Sequence, residues 1–174
     1  ASGKLELPGL LDVHSHHARD EYGQHACLSD GVTGWVDVGS RGADQIDEAV
    51  AIARSAPQPA RVLINIGREG IRGGGDTMEL ELADVDAAKA AISRNRGYIV
   101  GVKARLTEGV AIDDVEVLRR AQEVATSFDL PVMIHMGQTT TPMSTLIQQL
   151  KPGDIVTHMF APPPNSIIER SGRI

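Results

Sequence analysis

Apolar residues along the chain gather in six short runs: Leu10 to His14, Val32 to Val38, Arg61 to Ile66, Tyr98 to Lys103, Pro131 to His135 and Asp154 to His158. Each has the length of a strand. Their nearly continuous apolar character suits strands covered on both faces, as in parallel sheets, rather than the alternation of a half-solvated antiparallel sheet.

Helical patterns lie between them. Asp44 has the place of an N-cap for a helix with Ile46, Ala49, Val50 and Ala53 on one stripe, stopped near Pro57. Asp84 opens a second, which runs to about Arg96 and ends at Gly97. Asp113, with Glu116 three residues on, forms the Asp variant of a capping box. The helix behind it sets Val117, Ala121 and Val124 on one face and turns Arg119, Arg120 and Glu123 mostly outward.

The runs end at residues 14, 38, 66, 103, 135 and 158, and such spacings match the roughly thirty residues that a βα unit needs. The chain therefore reads as about six βα units in series, an α/β fold that is either an open doubly wound sheet or a (β/α)8 barrel. A complete barrel takes about 250 residues, more than the 174 present. No linker divides the series. Gly73-Gly74-Gly75 is the most flexible stretch, and the segment from Gly70 to Asp76 reads either as a loop over the sheet edge or as a plain connector.

Composition narrows the function. Apolar residues make up 41% and charged residues 23%, enough for a packed core. Asp and Glu number 23 against 17 Lys and Arg, a formal charge of -6, which argues against a phosphate-backbone binder. Few aromatics (one Trp, two Tyr, two Phe) argue against a stacking platform for single strands. A single cysteine, Cys27, allows no intramolecular disulfide and fits a reducing cytoplasm. No membrane span or signal pattern is present in the sequence.

The chemistry sits at the ends of the runs. In Asp12-Val13-His14-Ser15-His16 the two histidines stand at i and i+2, so a strand projects both to one face. His135 and His158 each close a further run. Parallel βα folds carry their active groups at this C-terminal edge, so four of six histidines fall on one rim. His17 reads as a rim neighbour, and His25 as part of the following helix. Ser15 and Thr157 flank candidate ligands but point away by alternation.

Lys103 lies inside an otherwise apolar strand. A buried, unpaired ammonium is disfavoured and its pKa is pushed down. Either it turns outward to a helix carboxylate, or it stays neutral and takes up carbon dioxide as a carbamate, an anionic ligand able to bridge two divalent ions. Four histidines on the same rim favour the second outcome. Arg105 shares its strand face and either holds a substrate carboxylate as a bidentate partner or makes an ordinary rim ion pair.

These motifs together resemble a known family. Leu7-Pro-Gly-Leu-Leu-Asp-Val-His-Ser-His16 is similar to the opening of the amidohydrolase superfamily's barrel. The order Lys103, His135, His158 resembles its binuclear, carbamylated-lysine branch. Gly101-Val-Lys-Ala-Arg105, and Lys151 to Phe160 with the Pro163-Pro164-Asn165 that follows, resemble the dihydroorotase-like amidohydrolase/deacetylase group.

The resemblance implies a (β/α)8 TIM-type metallo-hydrolase barrel, with residues 8–174 as its first six units and residues 1–7 as the end of a small β-sandwich segment. It implies that His14 and His16 bind the more buried of two divalent ions, zinc in such enzymes, that carbamylated Lys103 bridges both, and that His135 and His158 bind the second. Asp12 would be a supporting hydrogen-bond acceptor. The family's proton-transferring Asp follows an eighth strand, so it is expected beyond Ile174; Asp37, at the exit of the second run, is in the right region but the wrong position to replace it. The implied reaction is hydrolysis of an amide, cyclic imide-like or acyl bond by a metal-bridging hydroxide. The alternative is a non-catalytic unit that binds metal or a partner. Expected partners are a small-molecule substrate and further copies of the chain, without nucleic acid or membrane.

Overall fold

The computed structural model describes residues 3, 5–20, 22–135, 137–161, 165–168 and 171–173. Six strands, β1 (Leu10–Ser15), β2 (Val32–Gly42), β3 (Ala60–Asn65), β4 (Ile99–Ala104), β5 (Val132–His135) and β6 (Ile155–Thr157), coincide with the six apolar runs. Five helices stand between them: α1 (Tyr22–Ser29), α2 (Ile46–Ser55), α3 (Val85–Arg94), α4 (Asp114–Thr126) and α5 (Met143–Ile147).

The strands pair in chain order, β1 to β6, and every pairing is parallel. A doubly wound sheet reverses its strand order at a switch point; this one does not. Strictly sequential winding is the arrangement of a (β/α)8 barrel, of which the chain forms six units as a curled half-barrel. The curl is deep enough for a side chain of β6 to reach one of β1.

The sheet has two unlike faces. Outward residues such as Val62, Ile64, Val102 and Ile134 pack under the helices with Trp35, Ile92 and Leu118 in one large core. A small inner cluster of Val38, Leu63 and Met133 fills the concave side. In α4, Val117, Leu118, Ala121 and Val124 are fully buried, each large aliphatic there contributing about 1.5–3 kcal/mol by leaving water.

The helix starts show which caps the local sequence decides. Asp84 accepts a hydrogen bond from Ala87 N–H, and Asp113 one from Glu116 N–H, each satisfying an otherwise unpaired donor of the first turn. The reciprocal half of the capping box is not made, because the Glu116 carboxylate binds Arg119 and Arg120. The expected cap at Asp44 is replaced: α2 starts after Gln45 without a side-chain cap. Asp44 is instead taken by the Arg68 guanidinium in a two-pronged ion pair, the stronger interaction for a carboxylate. Helix α3 ends two residues short of the expected Arg96, at Arg94.

Residues 5–9 lead into β1 without regular structure, and residues 1, 2 and 4 of the expected sandwich segment lie outside the described residues. So do Pro163 and Pro164 of the Pro-Pro-Asn motif; Asn165 is buried and donates its amide to Gly137 O and Thr139 Oγ1. Among the described residues no helix is long and apolar enough to cross a membrane.

Candidate metal centre at the rim of the sheet

The C-terminal ends of β1, β4, β5 and β6 converge on one pocket of about 390 Å³, within the range of small-molecule sites. His14, His16, Lys103, His135 and His158 line it, with Arg105, Arg19 and Ile71. Four strands thus bring together every candidate ligand that the sequence singled out.

The imidazoles are close neighbours. Ring centroids of His135 and His158 lie 4.4 Å apart, those of His14 and His158 4.8 Å, and those of His14 and His16 6.0 Å. His158 stands just past β6 with a left-handed backbone, φ +65°, a conformation that His tolerates better than most non-glycine residues. That twist breaks the alternation on which the outward placement of Thr157 rested. Both Thr157 and His158 therefore reach the site, and the Thr157 hydroxyl bonds the His14 ring at Nδ1. Ser15 does point away, donating to Val36 O.

Lys103 is 2% exposed, and its Nζ has no hydrogen-bond partner. No helix carboxylate receives it. Its aliphatic stem fits against Gly39, where an added Cβ would sit 2.5 Å from Lys103 Cβ. Gly39 also has φ +82°, so both the close approach and the left-handed backbone require glycine. Burial, reinforced by the Arg105 charge, lowers the Lys103 pKa from 10.5 to about 8. About a tenth of such amines is neutral at pH 7, against about one in three thousand for an ordinary lysine.

Burial also lowers the pKa values of His14 and His135 to about 4, with smaller contributions from Lys103 and neighbouring imidazoles. For His16 and His158 the direction is the same and burial is again the first cause. Neutral imidazoles are the ligating form. The donor set is four imidazoles kept neutral by burial around an orphaned buried amine, and its chemistry fits divalent metal.

Arg105 and Asp12 each take one of the roles the sequence left open. Arg105 makes the ion pair, not an open clamp: its Nη1 lies 3.1 Å from Asp76 Oδ1, and Asp76 is 1% exposed. Asn65 donates to the same carboxylate at 2.9 Å, so Asp76 pins the glycine-rich loop against β3 and β4. Asp12 accepts from the His14 backbone N–H rather than from an imidazole.

Among the described residues, the group of three potential ligands whose atoms lie within 4.8 Å of one another is Asp12, His17 and Cys27, not the imidazoles of the pocket. Their spacing is that of a hydrogen bond: His17 Nε2 lies 2.8 Å from Cys27 Sγ, shorter than the roughly 3.5 Å between nitrogen and sulfur on one tetrahedral zinc. We read this contact as the tie between the His17–Arg19 turn and α1. Ser40, which sequence reasoning passed over, is placed at the rim with Asp37, which it weighed only as a substitute acid: Ser40 touches His16 and Asp37 holds Ser40. No periodic pattern marks either.

No family model matches the chain. It is 26% identical over 97% of its length to a deacetylase of Enterococcus faecalis, of which it covers 48%. It is 28% identical over 78% of its length to a dihydroorotase of Solibacter usitatus, of which it covers 31%. A solved adenine deaminase superposes with a TM-score of 0.86 at 26% identity, over 94% of this chain and 46% of that one. The chain thus spans about half the length, or less, of these proteins. Sequence and fold together relate it to the deacetylase- and dihydroorotase-like proteins of the amidohydrolase superfamily.

Proposed function

We propose that this chain carries the metal-binding part of a metal-dependent amidohydrolase that cleaves amide, cyclic imide-like or acyl (N- or O-acetyl) bonds. The observation that carries the reading is the Lys103 amine, buried and without a partner in a pocket walled by four imidazoles. An unpaired buried amine is costly. Conversion to a carbamate removes the cost: the nitrogen lone pair forms a bond to the carbon of CO2, a proton is released, and the new carboxylate offers two oxygen donors. The low Lys103 pKa supports this, because only the neutral amine has the lone pair.

His14 and His16 would hold one divalent ion, His135 and His158 the other, and the Lys103 carbamate both. Imidazole and carboxylate-type donors suit zinc, and also manganese, iron or cobalt. When bound, such ions polarise a carbonyl and acidify water. The protein's own part is to keep the imidazoles neutral, fix their orientation, and present cationic groups at the pocket wall. Arg105, anchored by Asp76, keeps further N–H donors for an anionic part of the substrate. The lone thiol of Cys27 suits a reducing cytoplasm.

A second reading has one observation in its favour: among the described residues, those lining the pocket include no Asp or Glu. Proton transfer to the leaving group needs a side chain free to carry the proton, and the imidazoles here are assigned to metal. Under this reading these 174 residues bind metal or a partner without turnover, and catalysis by the protein depends on a carboxylate outside the described residues.

The test measures metal content and hydrolysis of N-acetyl, O-acetyl and cyclic imide-like compounds by the protein and its Lys103→Ala variant. Two ions in the parent, a loss of metal and activity in the variant, and recovery with added short-chain carboxylate are expected. Two ions retained in the variant without rescue would remove the bridging role. Metal binding without turnover on any compound would favour the second reading.

A further inference from the structure

The rim carries one polar unit that the proposed chemistry does not use, the Asp37–Ser40 pair behind His16. We infer that Asp37 and Ser40 form a positioning pair that fixes the His16 ring in the tautomer with its proton on Nδ1 and its lone pair on Nε2. The inference rests on the proposed reading only in so far as it assigns a purpose, ligation by His16. The tautomer itself follows from donor counting.

Asp37 is 1% exposed. Three donors converge on its carboxylate: Ser40 N–H at 2.9 Å on Oδ1, with Ser40 Oγ–H at 2.8 Å and Ala18 N–H at 3.0 Å on Oδ2. A carboxylate so surrounded only accepts. Ser40, also 1% exposed, has one hydroxyl proton, and it is committed to Asp37. Yet Ser40 Oγ also lies 2.8 Å from His16 Nδ1. With its proton spent, the oxygen can only accept there, so the proton in that contact belongs to the imidazole. One neutral ring carries one N–H. His16 Nε2 is thereby left as the lone-pair nitrogen, on a ring that lines the pocket.

The same carboxylate governs the backbone that follows. By accepting from Ala18 N–H, Asp37 holds the His17–Arg19 turn, which carries Arg19 to the pocket wall. One buried acid therefore sets the ring orientation of His16 and the path of the chain beyond it. Ser40 is brought into place by Gly39, whose left-handed backbone turns the end of β2 so that Ser40 N–H folds back onto Asp37.

The experiment is long-range 1H–15N NMR of the metal-free protein, which distinguishes the two neutral tautomers of His16, followed by competitive metal titration. In the parent, the proton is expected on Nδ1. Ser40→Ala is expected to populate the other tautomer and to weaken binding of one ion about 10- to 100-fold, leaving the second ion's affinity within a factor of two. Ser40→Thr, which keeps the hydroxyl, is expected to restore both. A proton on Nε2 in the parent would overturn the inference without using any variant. An unchanged tautomer in Ser40→Ala would overturn it as well. His16→Ala separates the two claims: if it leaves metal affinity intact, ligation by His16 fails, while an Nδ1–H tautomer in the parent still upholds the positioning pair.

Discussion

Thr157 Oγ1 lies 2.7 Å from His14 Nδ1, a hydrogen bond between residues 143 positions apart that joins the last strand to the first. No backbone ladder connects β6 to β1. Their contact is made by side chains across the concave face, and it shows how far six parallel strands have curled. It also gives His14 a fixed partner on Nδ1, as Ser40 does for His16. Groups of this kind orient an imidazole and hold its tautomer.

Replacing Thr157 by Val keeps the side-chain shape and removes the hydroxyl. The expected result is a metal affinity about 10-fold lower for one ion, with the parent value regained in Thr157→Ser. Chelator competition on the three proteins checks this. Equal affinities would show that the hydroxyl serves only packing.

Lys103 is predicted to lower stability when metal and CO2 are withheld. Its folded pKa, about 8, lies below the ordinary 10.5. Between those values the unfolded chain holds more protons than the folded one, so stability rises with pH across that window. The cost is fully present below pH 8 and gone above 10.5. In chelated, CO2-free buffer, Lys103→Met is therefore expected to be more stable than the parent by about 3 kcal/mol at pH 7, at 1.36 kcal/mol per pKa unit. Denaturant titrations at pH 7 and pH 10.5 should show the gap closing. A gap independent of pH would mean that the amine is not desolvated in the folded state.

The fate of Asp76 tests the glycine-rich loop. It is buried and bonded to Asn65 and Arg105, so Asp76→Asn removes the charge partner of a half-buried guanidinium. Losing one member of a buried pair costs about 3–5 kcal/mol, and the partial exposure of Arg105 puts the expected loss at the lower end. Thermal unfolding of the variant, alone and paired with Arg105→Gln, checks it. If Arg105→Gln does not recover part of the loss, the two residues are not coupled.

Much of this was legible in the chain. The strands were, because apolar residues run almost unbroken through Val62 to Ile64 or Val132 to Ile134, and only strands covered on both faces ask for that. Lys103 was legible for the same reason, a charge amid hydrocarbon. Asp84 and Asp113 announced helix starts because an N-cap acts within three residues. Asp44 did not behave so, since Arg68, 24 positions away, competes for it. Thr157 departs from the alternation because period 2 holds only while the backbone is extended, and that ends at the left-handed His158. Ser40 carried no signal, and Asp37 showed only its place at a strand exit: their joint use depends on the register of β1 against β2, which no local pattern encodes.

The final prediction concerns the two ends of the sheet. Among the described residues β1 and β6 each pair on one side only, and the free side of a parallel strand is a row of unpaired backbone donors and acceptors that templates association. β1 adds apolar surface to that hazard: Leu10, Leu11 and Val13 are 63%, 64% and 57% exposed. Natural edges carry charge, proline or a cover; these three residues are none of those. A polypeptide of these 174 residues is therefore expected to self-associate at micromolar concentration. Sedimentation velocity should show a mass that rises with loading, and Leu11→Lys with Val13→Lys should lower it by placing charge along the edge. Salt separates this from ionic association: a contact driven by apolar burial strengthens or holds at high ionic strength, whereas one between charged surfaces weakens. A monodisperse monomer at all loadings would mean that the edge strand is covered in solution, and the exposure of Leu10, Leu11 and Val13 would then have to be abandoned.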